Sequence, residues 1–178
     1  MKIISTKFKG LKIISQKNNF DKRGFLRETH KQNVVNFSKF IFEYCTTTKS
    51  NILRGFHFQT KFKQAKYVNV LKGKIFDCVI DLRKNSKTFG ESFEIILSDK
   101  NCLGLYIPEG FAHAYYSFEK INIIYYKLSN YYMPKYESGI IWNDPDINIK
   151  WPKTKPVVSK KDKNLKSFSE FYQKHKYL

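Results

Sequence analysis

Short apolar runs, separated by turn-forming residues roughly every ten positions, extend through most of the 178-residue chain. Some of them alternate apolar and polar residues, as in Ser92–Leu97, and this alternation is typical of strands with one buried face. Helices are predicted only at Lys31–Ser38 and at roughly Lys166–Lys174. With roughly eight or more short strands, the pattern predicts an all-β antiparallel fold, either a closed barrel or two packed sheets.

The composition agrees with a sheet-rich protein. Aromatic residues make up 17% of the chain and favour sheets, since flat rings pack well on pleated surfaces. The length suits one domain over residues 1–178. Cys45, Cys78 and Cys102 show no metal or disulfide spacing, which indicates a reducing compartment. With no signal peptide and no apolar run near membrane-spanning length, we expect a soluble cytoplasmic protein.

The formal net charge of +18 is the most extreme property of the composition. It is compatible with a polyanionic partner, either nucleic acid or a phosphorylated ligand. It is equally compatible with a lysine-rich genome that leaves a solvated basic surface. No helix-turn-helix, zinc-finger or RNA-binding motif is present, so nucleic acid is the less favoured partner.

Polar residues capable of acid–base chemistry interrupt the strand pattern in Asn51–Arg83, which we interpret as three consecutive strands. Arg54 and His57 would point to opposite faces of an ideal strand. Gly55 lies between them, and an interior glycine often marks a bulge. A bulge would turn both side chains into one cavity, although a lone histidine is more often a hydrogen-bonded core residue.

Two further strand residues have ambiguous orientations from pattern alone. Lys66 would share a face with Val68 and Val70, where a lysine needs an anion, or it could point outward. Tyr126 and Lys127 must point to opposite faces, and the tyrosine is the better inner candidate. The two orientations of Lys66 are equally compatible with the pattern, whereas one tyrosine among twelve is usually an ordinary core residue.

Three other segments carry candidate site residues. Pro108–His113 resembles half of a cupin metal signature, but the first half is incomplete, so we predict a barrel without a metal. Arg23 and Glu28 bracket an aromatic residue in a turn, a set suited to a planar base and a phosphate. Asp162 could cap a helix N-terminus.

Together these segments resemble the dTDP-4-dehydrorhamnose 3,5-epimerase family, whose members are cupin-like jelly-roll homodimers. The resemblance extends over nearly the whole chain, and its specificity lies in the order of many weak motifs. They are Asp21–Phe25, Leu53–Gln59, Gln64–Lys66, Asp81–Arg83, Thr88–Gly90, Ile107–His113, Tyr126–Lys127, Tyr131–Pro134, Glu137, Trp142–Asp144, Ile149–Pro152 and Ser159–Asp162.

The resemblance implies proton transfer beside a ketone. The substrate would be a nucleotide-linked 4-keto-6-deoxy sugar, in which removal of the hydrogen at C3 or C5 gives an enolate. His57 would be the general base, oriented by Asp162. Lys66 would stabilise the enolate oxygen in a dry cavity. Tyr126 would return a proton to the opposite face of the sugar, which inverts the carbon.

The resemblance also implies a set of substrate contacts. Arg23, Arg54 and Lys161 would bind largely through the diphosphate, Tyr132 would stack on the base, and Glu28, His113 and Glu137 would line the site. No cofactor is implied, because the enzyme only moves protons. The implied partners are the nucleotide-diphosphate sugar and a second copy of the chain, without nucleic acid or membrane.

One segment departs from the family pattern. Phe42 and Tyr44 stand where the family usually carries a glutamine and an asparagine that help to hold the ligand. Ala114 replaces the usual glycine after His113. The implied catalytic set is intact, but the ligand pocket is altered. The enzyme could therefore invert only C3 or only C5, or act on another nucleotide sugar such as a GDP-linked deoxyheptose. A non-catalytic sugar- or nucleic-acid-binding barrel is the alternative from another class.

Overall fold

Short strands dominate the secondary structure, and the computed structural model describes all of residues 1–178. In chain order the strands are β1 (Lys2–Ser5), β2 (Lys12–Ser15), β3 (Asn18–Asp21), β4 (Gly24–Arg27), β5 (Phe42–Thr48), β6 (Ile52–Gln59), β7 (Lys66–Lys72), β8 (Lys74–Asp81), β9 (Ser92–Ser98), β10 (Leu103–Ile107), β11 (Phe111–Ser117), β12 (Asn122–Leu128), β13 (Glu137–Gly139) and β14 (Val157–Val158), and the helices are α1 (Lys160–Lys163) and α2 (Phe168–His175). Neither helix has the length and apolar character needed to cross a membrane.

Two large sheets form the body of the molecule. The first has the strand order β1-β2-β10-β7-β12-β5, and the second has the order β13-β6-β11-β8-β9. Pairing within them is antiparallel, except that β14 runs parallel to β6, while β3 and β4 form a separate two-stranded sheet. This architecture confirms the prediction of an all-β, cupin-like jelly roll with a few short peripheral helices.

The main core lies between the two sheets. Val68 and Ile124 from the first sheet pack in one buried cluster with Val79 and Phe111 from the second. Burial alternates along β12 with a period of two, so that Tyr126 is buried while its neighbours on either side are more exposed. The alternation confirms the prediction that this tyrosine faces inward.

The outer face of the second sheet is also covered. Ile140, Trp151 and Phe171 from the C-terminal part of the chain pack against Phe56 and its neighbours on that face. All seven residues of β11 are therefore buried, which explains why its sequence does not alternate. Helix α2 carries a capping box and agrees closely with the helix predicted near the C-terminus.

The short helix predicted at Lys31–Ser38 is wrong. The segment forms turns, in which the N–H groups of Val34 and Val35 both bond to the Lys31 carbonyl. Val35 is fully buried in a small cluster with Tyr67 and Tyr106. Packing of this single side chain fixes the segment, and its neighbouring β-branched residues and asparagines give little intrinsic helix propensity.

Candidate active site

A cavity of about 510 Å³ opens between the two sheets, and the start of the C-terminal segment forms part of its wall. Of the residues predicted for the site, those that line this cavity are Tyr44, Arg54, His57, Lys66, His113, Tyr126, Lys161 and Asp162. They come from β5, β6, β7, β11, β12 and α1, and the fold therefore brings together residues that are far apart in sequence.

His57 and Asp162 form a hydrogen-bonded pair in the cavity wall. The imidazole Nε2 lies 2.8 Å from a carboxylate oxygen of Asp162, and the second oxygen accepts the N–H of Gly55 at 3.2 Å. Burial raises the pKa of Asp162, but the bonds from His57, Gly55 and Ser159 outweigh it and hold that pKa below its usual value. An ionised carboxylate therefore orients the imidazole and leaves Nδ1 to take a proton.

The role considered for Asp162 from sequence, a helix cap, belongs to a neighbour. Ser159 is the N-cap of α1, and its hydroxyl accepts the backbone N–H of Asp162. The carboxylate of Asp162 is thus free to face β6. The parallel pairing of β14 with β6 brings this helix beside the imidazole.

The predicted bulge in β6 occurs at Gly55. The pairing of β6 with β11 shifts by one residue between the His57–His113 pair and the Arg54–Tyr115 pair. Gly55 has a φ of +114°, a conformation that other residues rarely adopt. The shift turns Arg54 and His57 into the same cavity, as the Arg-Gly-x-His spacing predicted.

Gly55→Ala should lower the free energy of unfolding by about 3 kcal/mol or more, because strain and overpacking add. A Cβ at this position would lie 2.5 Å from the carbonyl oxygen of His113 and 2.6 Å from the Ala114 Cβ. Gly24→Ala is the matched control, because Gly24 also has a positive φ (+138°) but no atom within 4 Å of a built Cβ. Urea unfolding of both variants measures the difference, and equal costs would contradict the steric explanation.

Lys66 presents a cation to the cavity. Its side chain is half-buried at the start of β7, and Nζ lies 3.5 Å from the carbonyl oxygen of His57 without forming an ion pair. Burial lowers the pKa of Lys66 to about 8, and the negative charges of Asp77 and Glu137 only partly offset it. The structure therefore selects the inward orientation, and the ammonium is available to an anion in the cavity.

Tyr126 lies on the opposite sheet from His57 and opens into the same cavity. Its ring stacks on Tyr44 with 4.9 Å between centroids, and it forms an edge-on pair with His113 at 6.2 Å between centroids. Burial raises the pKa of Tyr126 well above its usual value, and Tyr115 raises it further. The phenol is therefore neutral at physiological pH and can donate a proton.

His113 forms a second histidine–aspartate pair. Its Nε2 lies 2.8 Å from a carboxylate oxygen of Asp77, and both side chains are buried. The sequence did not single out Asp77, although a carboxylate between Phe76 and Cys78 in an apolar run was a usable signal. No group of three or more His, Cys, Asp or Glu side chains is placed to hold a metal ion.

Three predicted site residues, Phe42, Tyr132 and Glu137, do not line the cavity. The Tyr132 hydroxyl donates a hydrogen bond to Glu137, which also accepts one from the ammonium of Lys161 at 2.5 Å. Phe42 packs against Tyr44 and Tyr131. Glu137 therefore links the exposed ring of Tyr132 to a cation that does line the cavity.

Arg23 and Glu28 lie away from the cavity of their own chain. The Arg23 side chain is 90% exposed at the tip of the β3–β4 hairpin and pairs with Asp21. Glu28 pairs with Lys31 on the surface. Phe20 and Phe25 of the same hairpin are 75% and 51% exposed, so the hairpin presents an unpartnered apolar face beside the arginine.

Sequence and structure both show extensive similarity to one group of enzymes. Residues 5–170 match the family model described as dTDP-4-dehydrorhamnose 3,5-epimerase. The enzyme of that name from Methanothermobacter thermautotrophicus is 39% identical over 176 residues, covering 95% of each chain. The one from Escherichia coli (strain K12) is 35% identical over 177 residues, covering 96% of each chain. The structure of dTDP-6-deoxy-D-glucose-3,5-epimerase from Legionella pneumophila, in complex with dTDP-4-keto-L-rhamnose, matches with a TM-score of 0.89 at 34% identity, covering 94% of this chain and 93% of that one.

Proposed function

The chain belongs to the dTDP-4-dehydrorhamnose 3,5-epimerase family, and on that premise we propose that it inverts C3 and C5 of a dTDP-linked 4-keto-6-deoxy sugar. One observation carries the proposal: a carboxylate-oriented imidazole and a neutral phenol open into one cavity from opposite sheets. Epimerisation needs this arrangement, because a proton must leave one face of the sugar and another must arrive on the opposite face.

His57 and Tyr126 divide the two proton transfers between them. Nδ1 of His57 takes the hydrogen from the carbon beside the ketone, and the electron pair of that C–H bond moves into the enolate. The phenolic proton of Tyr126 then forms the new C–H bond on the other face. Asp162 stabilises the imidazolium in the meantime, and exchange with solvent returns both side chains to their starting states.

Lys66 stabilises the negative charge that develops on the C4 oxygen. Its ammonium lacks an ion-pair partner and is partly withdrawn from water, and both properties strengthen its attraction to an enolate. Arg54 and Lys161 are the other cations in the cavity wall and suit the diphosphate. His113 lines the same cavity, and the exposed ring of Tyr132, linked to Lys161 through Glu137, suits stacking on the base.

The value of kcat/KM should decline as the pH rises through about 8, because burial lowers the pKa of Lys66 to about 8 in the free protein. Below that pH the side chain is protonated and can stabilise the enolate, and above it the cation is lost. The fall in kcat/KM should approach tenfold per pH unit on the alkaline side. A kcat/KM profile measured on both sides of this pH tests the point, and a flat alkaline limb would contradict the role of Lys66.

Isotope exchange tests the proposed function directly. The protein is incubated with dTDP-4-keto-6-deoxyglucose in deuterated water, and label at each carbon is followed by NMR. We expect deuterium at both C3 and C5 together with inverted product. Label at one carbon would reduce the function to a single epimerisation, and absence of label would refute it.

The narrower alternatives have no specific observation in their favour. The relatives described above are named as 3,5-epimerases, and none is named for a GDP-linked heptose or as a binding protein. Running the same exchange assay with GDP- and UDP-linked keto sugars measures the nucleotide preference. We expect the dTDP-linked sugar to be turned over with the largest kcat/KM.

A homodimer would explain the β3–β4 hairpin, and we include it in the proposal. Arg23 and Glu28 fit a substrate contact only if the hairpin reaches the cavity of a second copy, because neither lies at the cavity of its own chain. The exposed phenylalanines of the hairpin supply an apolar contact for that copy. Sedimentation velocity tests this with Phe25→Glu, which should shift the protein toward monomer. Phe62→Glu is the control, since Phe62 is equally exposed (51%) and lies outside the hairpin, and dissociation of both or neither would contradict the assignment.

A further inference from the structure

The ring of Tyr126 has no hydrogen bond to hold it. Its hydroxyl makes none within the protein, whereas the other predicted catalytic side chains each have a polar partner. The position of the phenol therefore depends on how its ring is packed. A proton donor must lie within hydrogen-bond reach of the carbon that it protonates, so this packing bears directly on inversion.

Tyr44 supplies the face of that packing. It lies directly opposite Tyr126 in the register of β5 and β12, and the two rings are nearly parallel at 26° with centroids 4.9 Å apart. Both side chains line the cavity. Phe42, on the same face of β5, packs against the Tyr44 ring at 5.6 Å and supports it. An aromatic column along the edge strand thus ends on the proposed proton donor.

The strand register gives Tyr44 no substitute in this role. Successive residues of β5 point to opposite faces, so the next residue on the same face as Tyr44 is Thr46. The Thr46 hydroxyl contacts the hydroxyl of Tyr115 at 3.3 Å and does not hold the Tyr126 ring. His113 forms an edge-on pair with that ring at 6.2 Å between centroids and does not stack on it. Tyr44 is therefore the ring that stacks on Tyr126.

We propose that Tyr44 is a positioning residue: its ring holds Tyr126 in the orientation that delivers a proton to the far face of the enolate. The inference rests on the proposed function and adds a structural determinant of inversion. Tyr44 makes no hydrogen bond, ring pair or cation–π contact with His57 or Lys66, so we expect loss of its ring to leave enolate formation intact. The enolate then has time to regain a proton from the imidazolium on the face from which it left, which regenerates the starting sugar.

The ratio of two rates isolates this effect. In deuterated water, proton abstraction followed by return to the same face puts label into recovered starting sugar, and return to the far face gives labelled inverted product. We expect Tyr44→Ala to lower the rate of inversion about tenfold while lowering total exchange less than threefold. Tyr126→Phe lacks the phenolic proton and therefore gives the largest ratio of exchange to inversion that loss of the proton donor can produce.

Two further variants make the test specific. Tyr44→Phe keeps the ring and removes only the hydroxyl. Its ratio of exchange to inversion should therefore equal that of the wild-type protein. Cys45→Ser alters the next residue of β5, which faces away from the cavity and should affect neither rate. A ratio for Tyr44→Phe equal to that of Tyr44→Ala would overturn the stacking role, since the hydroxyl would then be responsible.

The failure of this inference is distinct from the failure of the proposed function. If the unchanged chain gives neither exchange nor inversion, the proposed function is wrong. If the unchanged chain is active and Tyr44→Ala lowers exchange and inversion by the same factor, the function stands and the positioning role is refuted, because equal losses indicate general damage to the site.

Discussion

His57→Ala abolishes both exchange and inversion in the expected result, with kcat/KM falling about 10³-fold or more. Two histidine–aspartate pairs lie in the cavity wall, and they differ in how far the imidazole is exposed. The His57 side chain is 31% exposed, whereas that of His113 is only 5% exposed and its partner Asp77 is fully buried. We therefore expect His113 to be a poor replacement for the lost base.

The same variant should still bind nucleotide. Arg54 and Lys161 do not depend on the imidazole for their positions in the cavity wall, so the affinity for dTDP by calorimetry should change less than threefold. His175→Ala is the control, because this histidine packs on Phe171 at the end of α2, away from the cavity. Residual exchange at a tenth or more of the unchanged rate would show that the base has been assigned to the wrong residue.

Lys66→Met should lower kcat about 10² to 10³-fold, because it removes the one cation aimed at the developing enolate. The methionine keeps most of the side-chain volume, so the cavity should keep its shape. Because burial lowers the pKa of Lys66 to about 8, the side chain is still charged at pH 7, but keeping it charged costs more free energy in the folded protein than in the unfolded chain. Its removal should therefore raise the melting temperature while activity falls, which is a trade-off typical of active-site charges.

Calorimetry at neutral pH measures the expected rise in melting temperature, and the exchange assay measures the expected fall in activity. Lys72→Met is the matched control, since this lysine lies at the other end of the same strand, exposed and outside the cavity. It should alter neither quantity appreciably. A Lys66→Met protein that is both less stable and less active would mean that the lysine is a structural residue.

The parts of the site that follow from local rules could be predicted from sequence. Strand alternation placed Tyr126 inside the sheet sandwich, and an interior glycine predicted the bulge that turns Arg54 toward His57. Both predictions depend on residues that are adjacent in the chain. The order of the sheets then determines which of these local features meet in one cavity.

The parts that depend on distant partners could not be predicted from pattern. The orientation of Lys66 stayed open because the carboxylates that favour its charge, Asp77 and Glu137, lie on strands of the opposite sheet. Asp162 followed only from the family resemblance, and its pairing with His57 spans 105 residues. The wrong helix at Lys31–Ser38 has the same origin, since the burial of Val35 among residues of other strands determines that segment.

The pairing of Asp162 with the imidazole also sets when activity can appear during synthesis on the ribosome. The strand β6, which carries His57, is synthesised before β14 and α1, and these must dock on it from outside. A nascent chain that has reached only as far as β13 has the barrel strands but lacks the carboxylate that bonds to the imidazole. If His57 is the base, we expect the chain to become active only after β14 and α1 have docked.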